Sequence, residues 1–144
     1  MNAKTLNQAR VMQLATSRSG QPWICTVYFV VSGGNFYWLS FPERRHSQEL
    51  EENAKAAVAV VLKQDQPVIG VQAEGVVSMI RDADAAAPIL ELYVQKYGSG
   101  STFIERLKEG TNKHVLYCLE PGLVSLFDET DTAQPSPRPI VIEG

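Results

Sequence analysis

The chain has 144 residues, the size of one ordinary domain and enough to enclose a core without disulfide staples. Its 13 basic and 16 acidic side chains leave a net charge of −3, which argues against the broad positive surface that nucleic acid or an anionic membrane requires. A single domain is expected over residues 1–128, followed by an extended C-terminal arm over residues 129–144, where Pro, Ser, Thr and Asp dominate up to Arg138.

Cys25 and Cys118 lie in apolar, strand-like runs with no second Cys or His at ligand spacing, so they read as reduced core thiols and no metal site is expected. The N-terminal stretch from Met1 to Leu6 lacks the continuous apolar segment of a signal peptide. No apolar run approaches the ~20 residues of a membrane span, and a cytoplasmic, soluble protein is expected.

In chain order, Thr5 is placed to cap a short helix reaching about Met12. Val11 to Ser17 follows as a strand, turning at Arg18-Ser19-Gly20-Gln21-Pro22 into a second. Trp23 to Val31 reads as one strand apolar on both faces. Ser32-Gly33-Gly34-Asn35 closes a hairpin onto Phe36 to Ser40. Ser47 opens a two-turn helix to Asn53, with Leu50 inward and Glu49, Glu51 and Glu52 in water.

Ala56 to Leu62 is a small and β-branched run expected to be buried on both sides. Val68 to Ile80 is a long strand whose Gly70 and Gly75 mark a bulge or a close approach. Asp82 or Asp84 caps the main helix, which buries Ile89, Leu92 and Tyr93 and stops at Gly98. A second helix is expected from Thr102 to about Glu109. Lys113 to Leu119 and Leu123 to Asp128 read as two strands divided by Glu120-Pro121-Gly122, and Ile140-Val141-Ile142 as a docking segment at the end of the arm.

The stretch from Trp38 to Leu50 carries the chemistry. A strand ends there in Arg44-Arg45-His46-Ser47 and a helix begins, so exposed helix amides and cationic and hydroxyl donors converge where a phosphate would be held. The alternative reading of the cluster is a solvated turn. No Gly-rich phosphate loop is present, so side chains would do most of the gripping.

The ordered segments ATS, GQPW, VYFVV, FYWLS, RRHSQELEENAKAAVAVV and GVQAEG, from about Leu14 to Val77, resemble the pyridoxamine 5′-phosphate oxidase-like family of FMN-binding split barrels. The resemblance implies a mainly β fold with helices (α+β): a six-stranded antiparallel split β-barrel with a helical insertion. It also implies a homodimer with FMN at the interface. The strand carrying Ile24, Thr26 and Val27 would then lie along the flavin ring, Ser40 near the ring or its phosphate, and Arg45, His46 and Ser47 on the phosphate. Gln72 or Gly70 would offer an amide to the ring. His46 where such proteins carry lysine implies weaker phosphate binding at alkaline pH, as the imidazole loses its charge.

The departures bear on activity. True pyridoxamine phosphate oxidases carry an arginine and a lysine in the strand occupied here by Ile24 to Phe29, which has neither. They also place a tryptophan and an Arg-x-His near the C-terminus, whereas Arg138 is the only arginine here after Lys113 and no tryptophan follows it. Vitamin B6 oxidation is therefore not the expected reaction. The resemblance instead implies a flavin-dependent oxidoreductase that passes electrons from a nicotinamide donor to a small molecule, or a non-catalytic protein that binds or senses flavin, the deazaflavin F420 or haem. A structural protein with an unused groove is a third class. No nucleophile elbow surrounds Ser47. His114 reads as a packed or surface histidine, and Trp23 and Trp38 read as core or dimer contacts in preference to platforms for a planar ligand.

Overall fold

Residues 1–98, 105–106, 109, 113–131 and 137–144 are described by a computed structural model. In chain order these residues form α1 (Ala3–Leu6), β1 (Val11–Arg18), β2 (Gln21–Tyr28), β3 (Val30–Ser32), β4 (Asn35–Ser40) and α2 (Arg45–Glu52). Then come β5 (Lys55–Lys63), β6 (Ile69–Ile80), α3 (Ala83–Tyr97), β7 (Val115–Asp128) and β8 (Arg138–Pro139). The strands pair antiparallel in the order β2-β1-β5-β6-β7-β4-β3, with β8 on β7. The fold is mainly β with a few helices, a curled antiparallel sheet of the split-barrel type. The anticipated long strands are β1, β2, β4, β5, β6 and β7. The second helix expected from Thr102 falls largely outside the described residues.

The split lies at Phe29. One residue separates β2 from β3, yet these two strands occupy opposite ends of the sheet order. The single strand expected from Trp23 to Val31 is therefore broken, because the backbone of Phe29 leaves the ladder and bonds to α3. The Tyr97 hydroxyl accepts from Phe29 N at 2.8 Å and lies 2.7 Å from Phe29 O, which also accepts from Lys96 Nζ at 2.7 Å. The Tyr93 hydroxyl donates to Tyr28 O at 2.7 Å. The helix thus supplies the hydrogen bonds that the strand gives up at its corner.

Register fixes the two faces of the sheet. Cys25, Leu14, Val58, Ala73 and Val124 stand in one cross-strand row pointing inward, and Trp38, Phe36 and Leu119 fill the core from the other side. Trp38 stacks on Tyr117 at 5.8 Å between ring centroids. The outward rows contain Ile24, Ala15, Ala57, Glu74 and Leu123, then Thr26, Gln13, Ala59, Gln72 and Ser125. The expectation that the Ala56–Leu62 run is buried on both sides is thereby corrected: within the chain β5 alternates, leaving Val61 50% exposed, and β2, apolar on both faces, leaves Ile24 61% exposed.

Gly75 sits where the β6–β7 register shifts, opposite Pro121, and a Cβ there would run into the Glu120 carbonyl. β7 consequently runs unbroken through Glu120-Pro121-Gly122, with Gly122 as the extra residue of a bulge, where two strands had been expected. The helix termini follow local chemistry. Asp82 caps α3 by accepting from Asp84 N at 3.1 Å, and Gly98 ends it in the left-handed region at φ 74°. At the N-terminus Asn2, rather than Thr5, is the cap, and α1 stops at Leu6. The last residues return to the barrel: Ile140 N donates to Val124 O at 2.9 Å, and Ile140 and Ile142 pack on the core.

Candidate functional site

The position of α2 is set by a carboxylate. Glu49 had been expected in water, but it is 2% exposed and accepts from Thr16 Oγ1 and from Arg45 Nε, each at 2.8 Å. The Arg45 bond holds its carboxyl below the ordinary range, and the Thr16 bond adds to that. A charged group survives burial here because both oxygens are occupied. The Arg45 guanidinium also lies 4.0 Å from the centroid of Trp23 on β2. Glu49 thus ties α2 to β1, and Arg45 ties it to β2.

α2 begins at Arg45, two residues before the expected Ser47, and its N-cap Arg44 makes no side-chain cap bond. Gln48 N is the first amide to bond inside the helix, to Arg44 O at 3.0 Å. The amides of Arg45, His46 and Ser47 precede it and have no intrahelical acceptor, which is the arrangement that receives an anion. Ser40 and His46 meet beside them, Oγ to Nε2 at 2.8 Å. Burial pushes the His46 imidazole below its ordinary 6.5, and the Arg44 charge pushes it the same way. Both effects move the loss of its charge toward the acid side of that value in the ligand-free corner, opposite to the alkaline loss expected for phosphate binding. Ser47 is enclosed, with its Oγ 3.5 Å from Ser40 Oγ, so its side chain supports the corner from behind.

From this corner a cleft of about 620 Å³ runs along the unpaired edge of β2. Thr26, Val27, Ser40, Arg45 and His46 border it together. Ile24 and Gln72 do not. They line a shallow hollow of about 270 Å³ on the outer face of the sheet with Gln13, Ala57 and Ala59. Gln72 stands in the row of Thr26 but three strands away, about 14 Å at ordinary strand spacing.

The family resemblance assigned no role to Arg44, which the basic cluster had included, nor to Phe41, Tyr28 and His114, and all four border the cleft. Phe41 stacks on His114 at 3.9 Å, with the Arg44 guanidinium 5.9 Å from the Phe41 ring. The signal for Arg44 was present in the spacing. Arg45 and Glu49 are one helical turn apart and satisfy each other, which leaves Arg44 as the cation of the corner in no ion pair among the described residues.

The sequence model for the pyridoxamine 5′-phosphate oxidase family matches residues 2–126. The chain belongs to that family. Solved structures agree on the fold. A conserved hypothetical protein from Mycobacterium tuberculosis superposes with a TM-score of 0.77 at 18% identity, covering 99% of this chain and 89% of that one. The heme storage protein of Vibrio cholerae gives 0.66 at 21% identity, covering 89% and 95%. An FAD-binding protein from Mesorhizobium loti gives 0.62 at 23%, covering 85% and 88%. No curated protein matches the chain. Among the described residues no helix is long and apolar enough to cross a membrane, and no cluster of His, Cys, Asp and Glu is built to hold a metal.

Proposed function

We propose that this member of the pyridoxamine 5′-phosphate oxidase family binds FMN as a cytoplasmic homodimer and passes electrons between a nicotinamide donor and a small-molecule acceptor. The observation that carries the reading is the corner at the start of α2. Ser40, Arg44, Arg45 and His46 border the end of a cleft that continues along a strand edge, the first three amides of α2 have no intrahelical acceptor, and Arg44 is in no ion pair among the described residues. A phosphate fits the first part and a flat ring the second, since an unpaired strand edge offers alternating N–H and C=O groups. Arg45 contributes indirectly by fixing the helix.

The flavin supplies the two-electron chemistry when bound. The protein's residues anchor the phosphate, align the ring against β2 and exclude water with Trp23 and Val27. His46, which borders the cleft, is tied to Ser40, and Glu49 behind it is consumed in structure. No general acid or base is required of them.

The homodimer is supported by the outer face of the sheet. Ile24, Val61, Val76 and Leu123 are between 44% and 61% exposed there, beside the small side chains of Ala15, Ala57 and Ala59. A second copy seated on this face would cover an apolar surface uncommon on a monomer and would bring the partner's own outer row toward the cleft. That gives Ile24 and Gln72 a role across the interface.

A haem reading is favoured by one observation: both of the chain's two histidines border the cleft, and a heme storage protein shares the fold. The visible spectrum of the purified protein, with mass analysis of what heat releases, separates the readings. Flavin bands that NADPH bleaches anaerobically support the proposal, a Soret band supports haem, and colourless protein that leaves added FMN fluorescence unquenched overturns both.

A further inference from the structure

A second, smaller cavity adjoins the cleft. It holds about 270 Å³ between the first half of α3 and the strands β4 and β7, and Leu39 and His114 line both spaces. Its lining is apolar, with Ala86, Leu90 and Leu116 buried and Leu39 and Ile80 beside them. Among the described residues that line it, only Arg81 and His114 carry polar side chains.

The course of the chain explains this make-up. β6 ends at Ile80 and α3 opens at Ala83 on its cap Asp82, so Arg81 stands in the turn between sheet and helix with its side chain exposed. α3 then brings Ala86 and Leu90, one turn apart, into a cluster with Leu116 of β7. Arg81 is in no ion pair among the described residues. Its Nη2 lies 3.5 Å from Met79 Sδ, a weak acceptor, and the neighbouring Asp82 carboxylate is engaged in the cap, accepting from Asp84 N. A guanidinium so placed keeps its planar fork for a carboxylate. His114 is held differently: it stacks on Phe41 at 3.9 Å at the boundary with the cleft.

An apolar cavity with one forked cation and little else polar has the composition of a site for an acid with an apolar body. Its volume lies just below the range of about 300–1,000 Å³ that drug-sized ligands occupy, so the acid is small. We infer that this cavity binds a small carboxylic acid, with the carboxylate on Arg81 and the apolar body among Leu39, Leu90 and Leu116. Because Leu39 and His114 belong to both spaces, the bound acid abuts the cleft. On the FMN reading, and resting on it for that role alone, the acid is the small-molecule reactant that the flavin meets. A neutral compound of the same shape keeps the apolar contacts and loses the charge-assisted pair.

Hexanoate is a suitable probe, titrated at pH 7 into flavin-free, methyl-labelled protein and followed by NMR. The methyl signals of Leu39, Leu90 and Leu116 should shift together, while Ile24 on the outer face of the sheet stays still. Arg81→Gln should weaken hexanoate about tenfold or more, Arg81→Lys should fall between that variant and the parent, and hexanol should bind parent and Arg81→Gln alike. Arg44→Gln should leave hexanoate in place, since Arg44 borders the cleft and not this cavity. No binding by the parent, equal affinity in the parent and Arg81→Gln, loss of affinity in Arg44→Gln, or shifts confined to residues outside the cavity overturns the inference. In the FMN-loaded protein hexanoate should also move the visible flavin bands; bound hexanoate that leaves them unmoved removes the reactant role. If the protein retains no FMN, the flavin reading fails by itself, and the flavin-free titration still decides the cavity.

Discussion

Arg45 Nε and Glu49 Oε2 face each other at 2.8 Å across one turn of α2, and only the carboxylate is buried. The two arginines of the corner therefore have separate duties, one holding the helix and the other facing the cleft. Arg44→Gln should lower FMN affinity by about ten- to a hundredfold, the loss of a charge-assisted bond of roughly 1.5–3 kcal/mol, with the urea midpoint unmoved. Arg45→Gln should lower the urea midpoint, because it strands a buried carboxylate. Paired FMN titrations and urea curves check the contrast; equal behaviour of the two variants refutes it.

Glu49 also sets an acid limit. Its folded pKa lies below the ordinary 4.5 because of Arg45 and Thr16, so its contribution is present above that value and is lost as pH falls through the folded pKa. Urea midpoints between pH 6 and 3 should drop steeply in the parent and less in Glu49→Gln. A parallel drop in both would assign the acid sensitivity to other groups.

His46 acts in a separate window. Burial lowers its folded pKa, so below 6.5 the unfolded chain takes up a proton that the folded chain refuses. Stability should be flat above pH 7 and decline as pH falls below 6.5. His114, lowered likewise by burial and by Arg44, adds to the slope. His46→Gln should flatten it in part, and FMN retention should not change between pH 7 and 9. Retention that falls over that alkaline range would mean that His46 carries charge in the bound state.

Gly75→Ala tests the bulge. The added methyl meets the Glu120 carbonyl and lies 2.8 Å from its carbon, both backbone atoms of the neighbouring strand. The cost should be about 2 kcal/mol, the middle of the range for overpacking, read from urea unfolding. Gly20→Ala meets nothing within 4 Å and serves as a comparison in which only the left-handed backbone is strained.

The Phe29 amide at the corner depends on one hydroxyl. Tyr97→Phe leaves the enclosed Phe29 amide without its acceptor and should cost about 1–3 kcal/mol. Amide exchange at Phe29 should accelerate more than at Leu14 in the centre of the sheet. Uniform acceleration would show that the clamp stabilises the whole barrel instead of its corner.

Much of this architecture was legible because it is local. Gly33-Gly34 and Gly20 announce hairpins, Asp82 and Gly98 bracket α3, and Gly75 forecasts a close approach that a side chain could not survive. The break at Phe29 was not legible, because nothing in Tyr28-Phe29-Val30 resists a strand; the interruption comes from Tyr97 and Lys96, nearly 70 residues away. Glu49 was misplaced for the same reason. A glutamate among glutamates on a short helix is ordinarily solvated, and its burial becomes tolerable when Thr16 from β1 joins Arg45 on its carboxylate. The site was half legible: the basic corner follows from adjacent residues, whereas Tyr28 and His114 reach the cleft only through folding.

The edge of β2 that borders the cleft has a consequence for handling the protein. Among the described residues it is a row of backbone donors and acceptors with no strand beside it, and such a row templates pairing with any extended chain it meets. A molecule seated in the cleft blocks that encounter. The occupant therefore protects solubility as well as serving chemistry, and preparations stripped of it should aggregate through β2 before the barrel itself unfolds.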